Sequence, residues 1–201
     1  MVGNTKGRLV AAASDLLDSG GQEAVTLRAV AEVVGVSHNA PYRHFRDRSA
    51  LLAAVAERDF DGLQQAFHAK ADDQGDAGLL LRAAAMVLIA YAREHPARYR
   101  LLFSDPDLPS SGGTMEIAAL GAFQAFGVIV QRCQAGGGLR PIETARLTGL
   151  IYATLHGAID LELGGRAKNA KGLGSIEATV DLLFDLLAQA KAAVRVQQTL
   201  L

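Results

Sequence analysis

The sequence predicts an all-α protein with a small N-terminal domain of three helices, including a helix-turn-helix, and a larger helical C-terminal domain. Apolar residues recur at the three- and four-residue spacing of helices through most of the chain. No segment alternates apolar and polar residues as a half-buried strand does. Clusters of glycine, proline and small polar residues separate the apolar segments. We place the domain boundary after residue 47, so the predicted domains are 1–47 and 48–201.

Composition bounds the class of protein. Half of the 201 residues are apolar and a fifth are charged, which is typical of a globular chain. The apolar runs are interrupted well before the roughly 18–20 residues that span a bilayer, so no membrane partner is expected. The basic, partly apolar N-terminus resembles a signal peptide, but Asp15 and Asp18 interrupt it and favour an amphipathic helix. A single cysteine, Cys133, allows no internal disulfide and is consistent with a reducing cytoplasm. We therefore expect a cytoplasmic protein.

The first three helices are short and closely spaced. An apolar stripe in residues 9–17 predicts the first helix, which Gly20-Gly21 ends. Thr26 is a suitable N-cap for the second helix, and Gly35 ends it where a positive φ favours glycine. Ser37 is expected to cap a third, short helix that runs to about Phe45.

Six more helices follow in the predicted C-terminal domain. A long helix is expected from 47 or 48 to 70, followed by a polar loop over 71–78. The next two helices are predicted at 79–94 and 96–103, and a glycine- and proline-containing loop occupies 104–113. The last three are predicted at 114–135, 143–163 and 175–194, separated by glycine pairs and triplets.

The run from Thr26 to Arg48, TLRAVAEVVGVSHNAPYRHFRDR, is the most specific part of the chain. Two short helices joined by a glycine turn are typical of a helix-turn-helix, whose second helix enters the DNA major groove. The net charge of −1 argues against nucleic-acid binding, but phosphate contact depends on local charge. Three arginines fall within six residues of this run, so a mildly acidic chain still presents one basic face.

The residue types in this run suggest individual roles at a duplex. Asn39 lies near the start of the second helix and can pair bidentately with adenine. Pro41 lies within the first turn of that helix, where proline is tolerated, and is expected to stiffen it. Base contacts are also predicted for His38 and Ala40 beside Asn39, and phosphate contacts for Tyr42, His44 and the arginines. The full predicted DNA-binding set is Thr26, Arg28, Ser37, His38, Asn39, Ala40, Tyr42, Arg43, His44, Arg46 and Arg48. The alternative is a solvent-exposed helix pair with no DNA-binding role.

The N-terminal run resembles the tetracycline-repressor family. The matching segments are RLVAAASDLLDSGG, TLRAVAEVVGVS and NAPYRHFRDRSALLAAV, which together cover roughly residues 6–60. Many family members carry Thr-Leu before the tyrosine, where this chain has Ala40-Pro41. The resemblance implies a regulator that binds double-stranded DNA, and this departure leaves its operator sequence open.

The C-terminal segments HPARYRLLF and ATLHGAIDLELGG resemble the subfamily named for a Trp-His-Gly tripeptide, which here is Leu155-His156-Gly157. The resemblance implies a C-terminal domain that binds an unknown small-molecule effector and forms a homodimer. The ligand-binding candidates are Met86, Tyr91, Phe103, Phe123, Phe126 and His156, although such residues at helical spacing also form ordinary cores. The interface candidates are Ile151, Leu155, Ile159, Leu182, Leu183, Leu186 and Leu187. A dimer places two recognition helices roughly 34–36 Å apart, matching a palindromic operator.

Enzyme chemistry lacks its usual parts in this sequence. The five histidines are scattered without a metal-binding motif, so no metal and no cofactor are expected. Cys133 has no obvious activating base, which favours an inert buried thiol over a redox sensor. The resulting hypothesis is a ligand-responsive homodimeric repressor rather than an enzyme. The alternative is a helical carrier or sensor of small molecules without DNA-binding activity.

Overall fold

The computed structural model describes residues 5–72, 77–105, 113–168 and 171–188, and within these ranges the chain is helical and contains no strand. The predicted all-α class is confirmed. Contacts divide the chain into two compact units. Unit 1 consists of Met1–Gly62 and Glu94–Gly121, and unit 2 consists of Leu63–Arg93 and Ala122–Leu201. This division by contacts does not test the predicted functional boundary at residue 47, which stays a prediction.

The N-terminal region contains two α-helices and a short 3-10 helix. Helix α1 spans Thr5–Ala24, and Gly21 interrupts its regular geometry with a φ of 70°. Helix α2 spans Leu27–Val34, and the 3-10 helix spans Pro41–Arg43. The first two helices therefore lie close to their predicted positions, whereas the third is much shorter than predicted.

Six further α-helices follow, and their bounds agree with the predictions to within about two residues wherever the structure describes them. Helices α3, α4 and α5 span Arg48–Ala71, Ala77–Glu94 and Pro96–Ser104. Helices α6, α7 and α8 span Thr114–Ala135, Thr144–Leu163 and Ile176–Ala188. The predicted end of the last helix, 189–194, lies outside the described residues.

The core of unit 1 is apolar and draws on every helix of that unit. Leu9 and Leu17 of α1, Val30 of α2, and Leu51 and Val55 of α3 are fully buried. Helix α5 adds Leu101, and Phe60 of α3 meets Phe103 of α5 edge-on with ring centroids 5.5 Å apart. Burial of these side chains stabilises the unit and fixes how α2 and the 3-10 helix are presented.

Unit 2 combines an apolar core with an arginine that bridges three of its helices. Leu81 and Ile89 of α4 and Ile151 of α7 are buried. Arg93 at the end of α4 donates to Glu162 of α7 at 2.7 Å and to Glu177 of α8 at 2.6 Å. The hydrogen bond from Arg93 lowers the pKa of Glu177 to about 2. The guanidinium therefore joins the ends of three helices.

By its length and composition alone, helix α6 is long and apolar enough to cross a membrane. The core helix of a globular domain satisfies the same criterion. One third of its most apolar stretch is buried, including Ala125, Phe126 and Ile129, whereas Ile117 and Leu120 are 72% and 54% exposed.

Candidate DNA-binding and ligand-binding sites

Thr26 fixes the start of α2. Its backbone is extended, with φ −130° and ψ 155°, and its side chain accepts a hydrogen bond from the Ala29 amide at 3.0 Å. This is the geometry of an N-cap, which satisfies one of the free amides at the helix start. The predicted cap at Thr26 is confirmed.

Gly35 forms the turn of the helix-turn-helix. It adopts a left-handed conformation, with φ 72° and ψ 37°, and the Val36 amide donates to the Ala31 carbonyl at 3.0 Å. The pattern ends α2 as a glycine C-cap does. The predicted role of Gly35 is confirmed. The turn directs the chain from α2 into residues 37–45, which are called the recognition segment below.

The recognition segment differs from the predicted α-helix. Pro41 has no amide hydrogen to donate to the Ser37 carbonyl, and the Ala40 amide donates to that carbonyl instead, at 2.9 Å. His44 likewise donates to the Pro41 carbonyl at 2.9 Å, so the segment continues as the 3-10 helix Pro41–Arg43. Ala40 precedes this helix and provides no side-chain cap. The prediction that Ser37 caps a short helix reaching Phe45 is therefore wrong, because the helical segment begins only at Pro41, which cannot donate to the Ser37 carbonyl.

The recognition segment has a buried side and an exposed side. Pro41 and Phe45 are buried and anchor it to unit 1. Tyr42 is 60% exposed although it is a large aromatic residue. Most of the predicted DNA-binding side chains are exposed as well, namely Thr26, Arg28, Ser37, His38, Asn39, Arg43, His44 and Arg46. This surface of polar, aromatic and basic groups is called the recognition surface below.

Arg48, at the start of α3, has internal partners that the sequence did not indicate. Its Nε donates to the Val25 carbonyl at 2.8 Å, and its Nη2 donates to the Gln22 carbonyl at 2.5 Å. The side chain thus ties α3 to the connection between α1 and α2. Because Nε and Nη2 both donate to main-chain carbonyls, we expect Arg48 to affect DNA binding mainly by holding these helices in position.

Asp47 has a structural role at the start of α3 that was not predicted from the sequence. Its Oδ1 accepts from the Ala50 amide at 2.8 Å, which makes Asp47 the N-cap of α3. Its Oδ2 lies 3.0 Å from Nε of Arg46, whose side chain is 81% exposed. The signal was present in the sequence as an aspartate directly before a helical apolar stripe.

In unit 2, three of the predicted ligand-binding residues belong to one cluster of rings. Tyr152, absent from the predicted set, lies at its centre, with ring centroids 5.1 Å from Phe123, 5.9 Å from Phe126 and 4.2 Å from His156. Burial raises the pKa of Tyr152 to about 12 and lowers the pKa of His156 to about 4. At neutral pH both groups are therefore uncharged. The signal for Tyr152 was its four-residue spacing from His156.

The remaining predicted ligand-binding residues lie elsewhere. Phe103 belongs to unit 1, where its ring packs 5.0 Å from that of Tyr99. Met86 and Tyr91 lie on α4 and are partly buried. The six residues are thus distributed over both units.

Two cavities lie among the described residues of unit 2. One, of about 250 Å³, lies against α7, α8 and the segment between them, with an apolar lining that includes Gly157, Leu161 and Ile176. The other, of about 290 Å³, is lined by the start of α4, the end of α6 and α8. Neither lining includes any of the six predicted ligand-binding residues.

The predicted interface residues divide into buried and exposed groups. Ile151, Leu155 and Ile159 are fully buried within unit 2 and Leu187 is only 7% exposed, so the prediction of these four as interface residues is wrong because their side chains face the core. Leu183 is half-buried. Leu182 and Leu186 of α8 are 61% and 52% exposed. On α7 the exposed residues without a charge include Leu150, Ala153 and Gly157 instead. These three residues, together with Leu182 and Leu186, are called the α7–α8 face below.

No group of three or more histidine, cysteine, aspartate or glutamate side chains suited to a metal ion occurs in residues 5–72, 77–105, 113–168 and 171–188. Cys133 is fully buried at the end of α6.

Two family models match the chain, and together they cover both its N-terminal and its C-terminal parts. The model described as bacterial regulatory proteins, tetR family, matches residues 9–55. The model described as tetracyclin repressor-like, C-terminal domain, matches residues 81–191. The second match alone covers more than half of the chain.

Among curated proteins, the chain is similar to the nucleoid occlusion factor SlmA of Haemophilus ducreyi, with 32% identity over 82 residues. The match spans 41% of each protein, so the chain spans well under half the length of this relative.

Among solved structures, the chain is similar to a protein of unknown function from Rhodococcus sp. RHA1, with 29% identity and a TM-score of 0.77 over 92% of this chain and 96% of that one. A tetR family transcription regulator of Shewanella sp. PV-4, described as putative, has 17% identity and a TM-score of 0.65 over 92% of this chain and 98% of that one. The fatty acid degradation regulator FadR of Bacillus halodurans gives 13% identity and a TM-score of 0.70 over 94% and 96%. The last two likenesses show the fold alone.

Proposed function

This chain belongs to the tetracycline-repressor family of bacterial regulators, whose N-terminal domain binds DNA, and we propose that it is a ligand-responsive homodimeric repressor of a palindromic operator. The observation that carries the proposal is the recognition surface, most of which lies in residues 37–46, directly after the Gly35 turn. Because repression requires access to the chromosome, we propose that the protein acts in the cytoplasm.

The recognition surface supports DNA contact through both its charge and its shape. Arg43, His44 and Arg46 are exposed within four residues, and the neighbouring Asn39 and Tyr42 supply hydrogen-bonding groups. Basic side chains neutralise phosphates, while an amide distinguishes base edges in the major groove. Burial of Pro41 and Phe45 holds these groups on one surface rather than on a flexible loop.

The α7–α8 face supports homodimerisation. Its leucines are exposed in the isolated chain, and its alanine and glycine allow another backbone to approach closely. An apolar surface of this kind marks an interaction site in a protein that dissolves in water. A twofold dimer repeats the recognition surface, as a palindromic operator requires.

The test is a footprint of the purified protein on the DNA that flanks its own gene, followed by titration at several salt concentrations. We expect protection of a palindromic site and a linear fall of log affinity with log salt. Asn39→Ala should cost roughly 1–3 kcal/mol and relax the preference at one base position. Binding with no sequence preference and a shallow salt slope would contradict the proposal and favour a helical carrier instead.

Dimerisation has its own test in sedimentation equilibrium. Leu182→Asp, at an exposed position of the α7–α8 face, should convert the dimer to a monomer without unfolding it. Leu120→Asp, at an exposed leucine of α6 that is 54% accessible, serves as the matched control and should leave the dimer intact. A wild-type protein that sediments as a monomer would rule the dimer out.

A further inference from the structure

The cavity of about 290 Å³ in unit 2 combines an apolar wall with charged groups at its rim. Three parts of the chain supply the lining, namely the first turns of α4, the end of α6 with the residues that follow it, and one side of α8. The apolar wall consists of Leu79, Leu81, Leu139 and Phe184, and Cys133 also lines the cavity. Small-molecule sites are mostly apolar with a few polar groups that orient the ligand, and this volume suits a small ligand.

The charges of the lining favour a positively charged ligand. Arg82 of α4 and Asp181 of α8 form an ion pair in which both side chains are 42% exposed. Asp185, one turn further along α8, adds a second carboxylate at an exposed position. The lining therefore carries one positive and two negative charges. A cation placed here gains attraction from the carboxylates and from the ring of Phe184.

We infer that this cavity is the effector site and that the effector is a compact cation with an apolar body, such as a substituted amine or quaternary ammonium compound. The inference rests on the proposed function, because it names the ligand class of the proposed regulator. This cavity lies apart from the predicted site around Phe123, Phe126 and His156, whose rings contact Tyr152.

Helix α8 supplies the connection between this cavity and the dimer. Asp181, Phe184 and Asp185 line the cavity, while Leu182 and Leu186 of the same helix belong to the α7–α8 face. An occupant that moves α8 by a small amount therefore changes the geometry of the proposed interface. The other cavity, of about 250 Å³, includes Gly157 of the α7–α8 face in its lining, so the proposed dimer would place a second copy of the chain beside it.

The experiment is a calorimetric titration of the full-length protein without DNA, using benzyltrimethylammonium as the cationic probe. Phenylacetate and benzyl alcohol provide an anion and a neutral compound with a similar ring. We expect the cation to bind several-fold more tightly than either, because only the cation is attracted by the excess carboxylate. Tighter binding of phenylacetate, or no binding of any probe, would overturn the inference.

Three charge variants locate the site. Asp185→Asn should weaken cation binding about fivefold or more, and Arg82→Gln should strengthen it several-fold because it releases Asp181 from its ion pair. Asp15→Asn removes an exposed carboxylate of α1 and should leave the affinity unchanged. Equal affinity for wild type and Asp185→Asn would place the cation elsewhere and contradict the inference.

Fluorescence gives a second readout, since the chain contains no tryptophan. Leu79 is 66% exposed at the cavity rim, so Leu79→Trp introduces a single reporter there, and Leu120→Trp provides an exposed reporter on α6. The cation should change the emission of the first variant and not of the second. Because these titrations contain no DNA, their failure leaves the DNA-binding proposal intact. A protein that binds the cation and no operator would instead contradict the proposed function alone.

Discussion

Arg98 of α5 donates a hydrogen bond from Nη1 to Oδ1 of Asp59 on α3 at 3.0 Å, and the two side chains are only 11% and 6% exposed. The same guanidinium donates from Nε to Oδ1 of Asp18 on α1 at 3.1 Å. His95 places its Nδ1 2.9 Å from the other oxygen of Asp18. One buried cation thus joins three helices of unit 1.

Removal of Arg98 should strongly destabilise the protein. Arg98→Ala leaves the buried Asp59 carboxylate without this partner, and loss of one member of a buried ion pair costs about 3–5 kcal/mol. Arg166→Ala is the matched control, because the pair of Arg166 with Asp160 is exposed and should contribute at most about 1 kcal/mol. Urea denaturation measures both, and equal losses for the two variants would contradict the importance of burial.

Of the two arginines that flank Asp47, we expect Arg48 to stabilise the fold and Arg46 to contact DNA. Arg48→Ala removes two hydrogen bonds to main-chain carbonyls and should lower the free energy of unfolding by about 1.5–3 kcal/mol. Arg46→Ala should change it by less than about 0.5 kcal/mol, yet reduce the slope of log affinity against log salt by about one. Denaturation and salt titration of operator binding test the pair. A large stability loss for Arg46→Ala would contradict its assignment.

Thr26 should contribute through its N-cap. Thr26→Ala removes the acceptor of the Ala29 amide and should lower the free energy of unfolding by about 1 kcal/mol. Thr26→Ser keeps the oxygen and should retain most of that stability. If the serine variant is as unstable as the alanine variant, the hydroxyl does not act as a cap.

His156 should make the stability depend on pH. Because burial lowers its pKa from 6.5 to about 4, the unfolded chain takes up a proton before the folded chain does as the pH falls. The free energy of unfolding should therefore decrease between about pH 6.5 and pH 4, by roughly 3 kcal/mol from this group. His156→Gln removes this contribution. The difference in the free energy of unfolding between variant and wild type, measured from pH 4 to pH 6.5, therefore gives the part that His156 contributes. Parallel pH profiles of the free energy of unfolding for the two proteins would contradict the lowered pKa of His156.

Local rules predicted most of the fold. Thr26 and Gly35 act at the two ends of α2 as their chemistry indicates, because capping depends on residues adjacent in sequence. The apolar spacing likewise located α3 to α7 to within about two residues. Helices of this length follow from periodicity alone.

The site was predicted less completely, because its contacts join residues far apart in the chain. Nothing in the sequence near Arg48 indicates that it donates to the Val25 and Gln22 carbonyls. The stripe of α7 was identified correctly, but its buried side was mistaken for an interface, since periodicity does not state which neighbour covers a helix. The cavity beside Asp185 depends on α4, α6 and α8 together, and no local pattern reveals such a convergence.

Pro41 has a consequence for any attempt to redirect this protein to another DNA sequence. Side chains on an α-helix advance by about 100° per residue, whereas on a 3-10 helix they advance by about 120°. In the segment Pro41–Arg43 a side chain therefore points in a different direction from its counterpart in a relative with a full recognition helix. Transplanting base-contacting residues position by position would aim them at the wrong base pairs, so a redesign must replace the whole turn from Gly35 to Phe45.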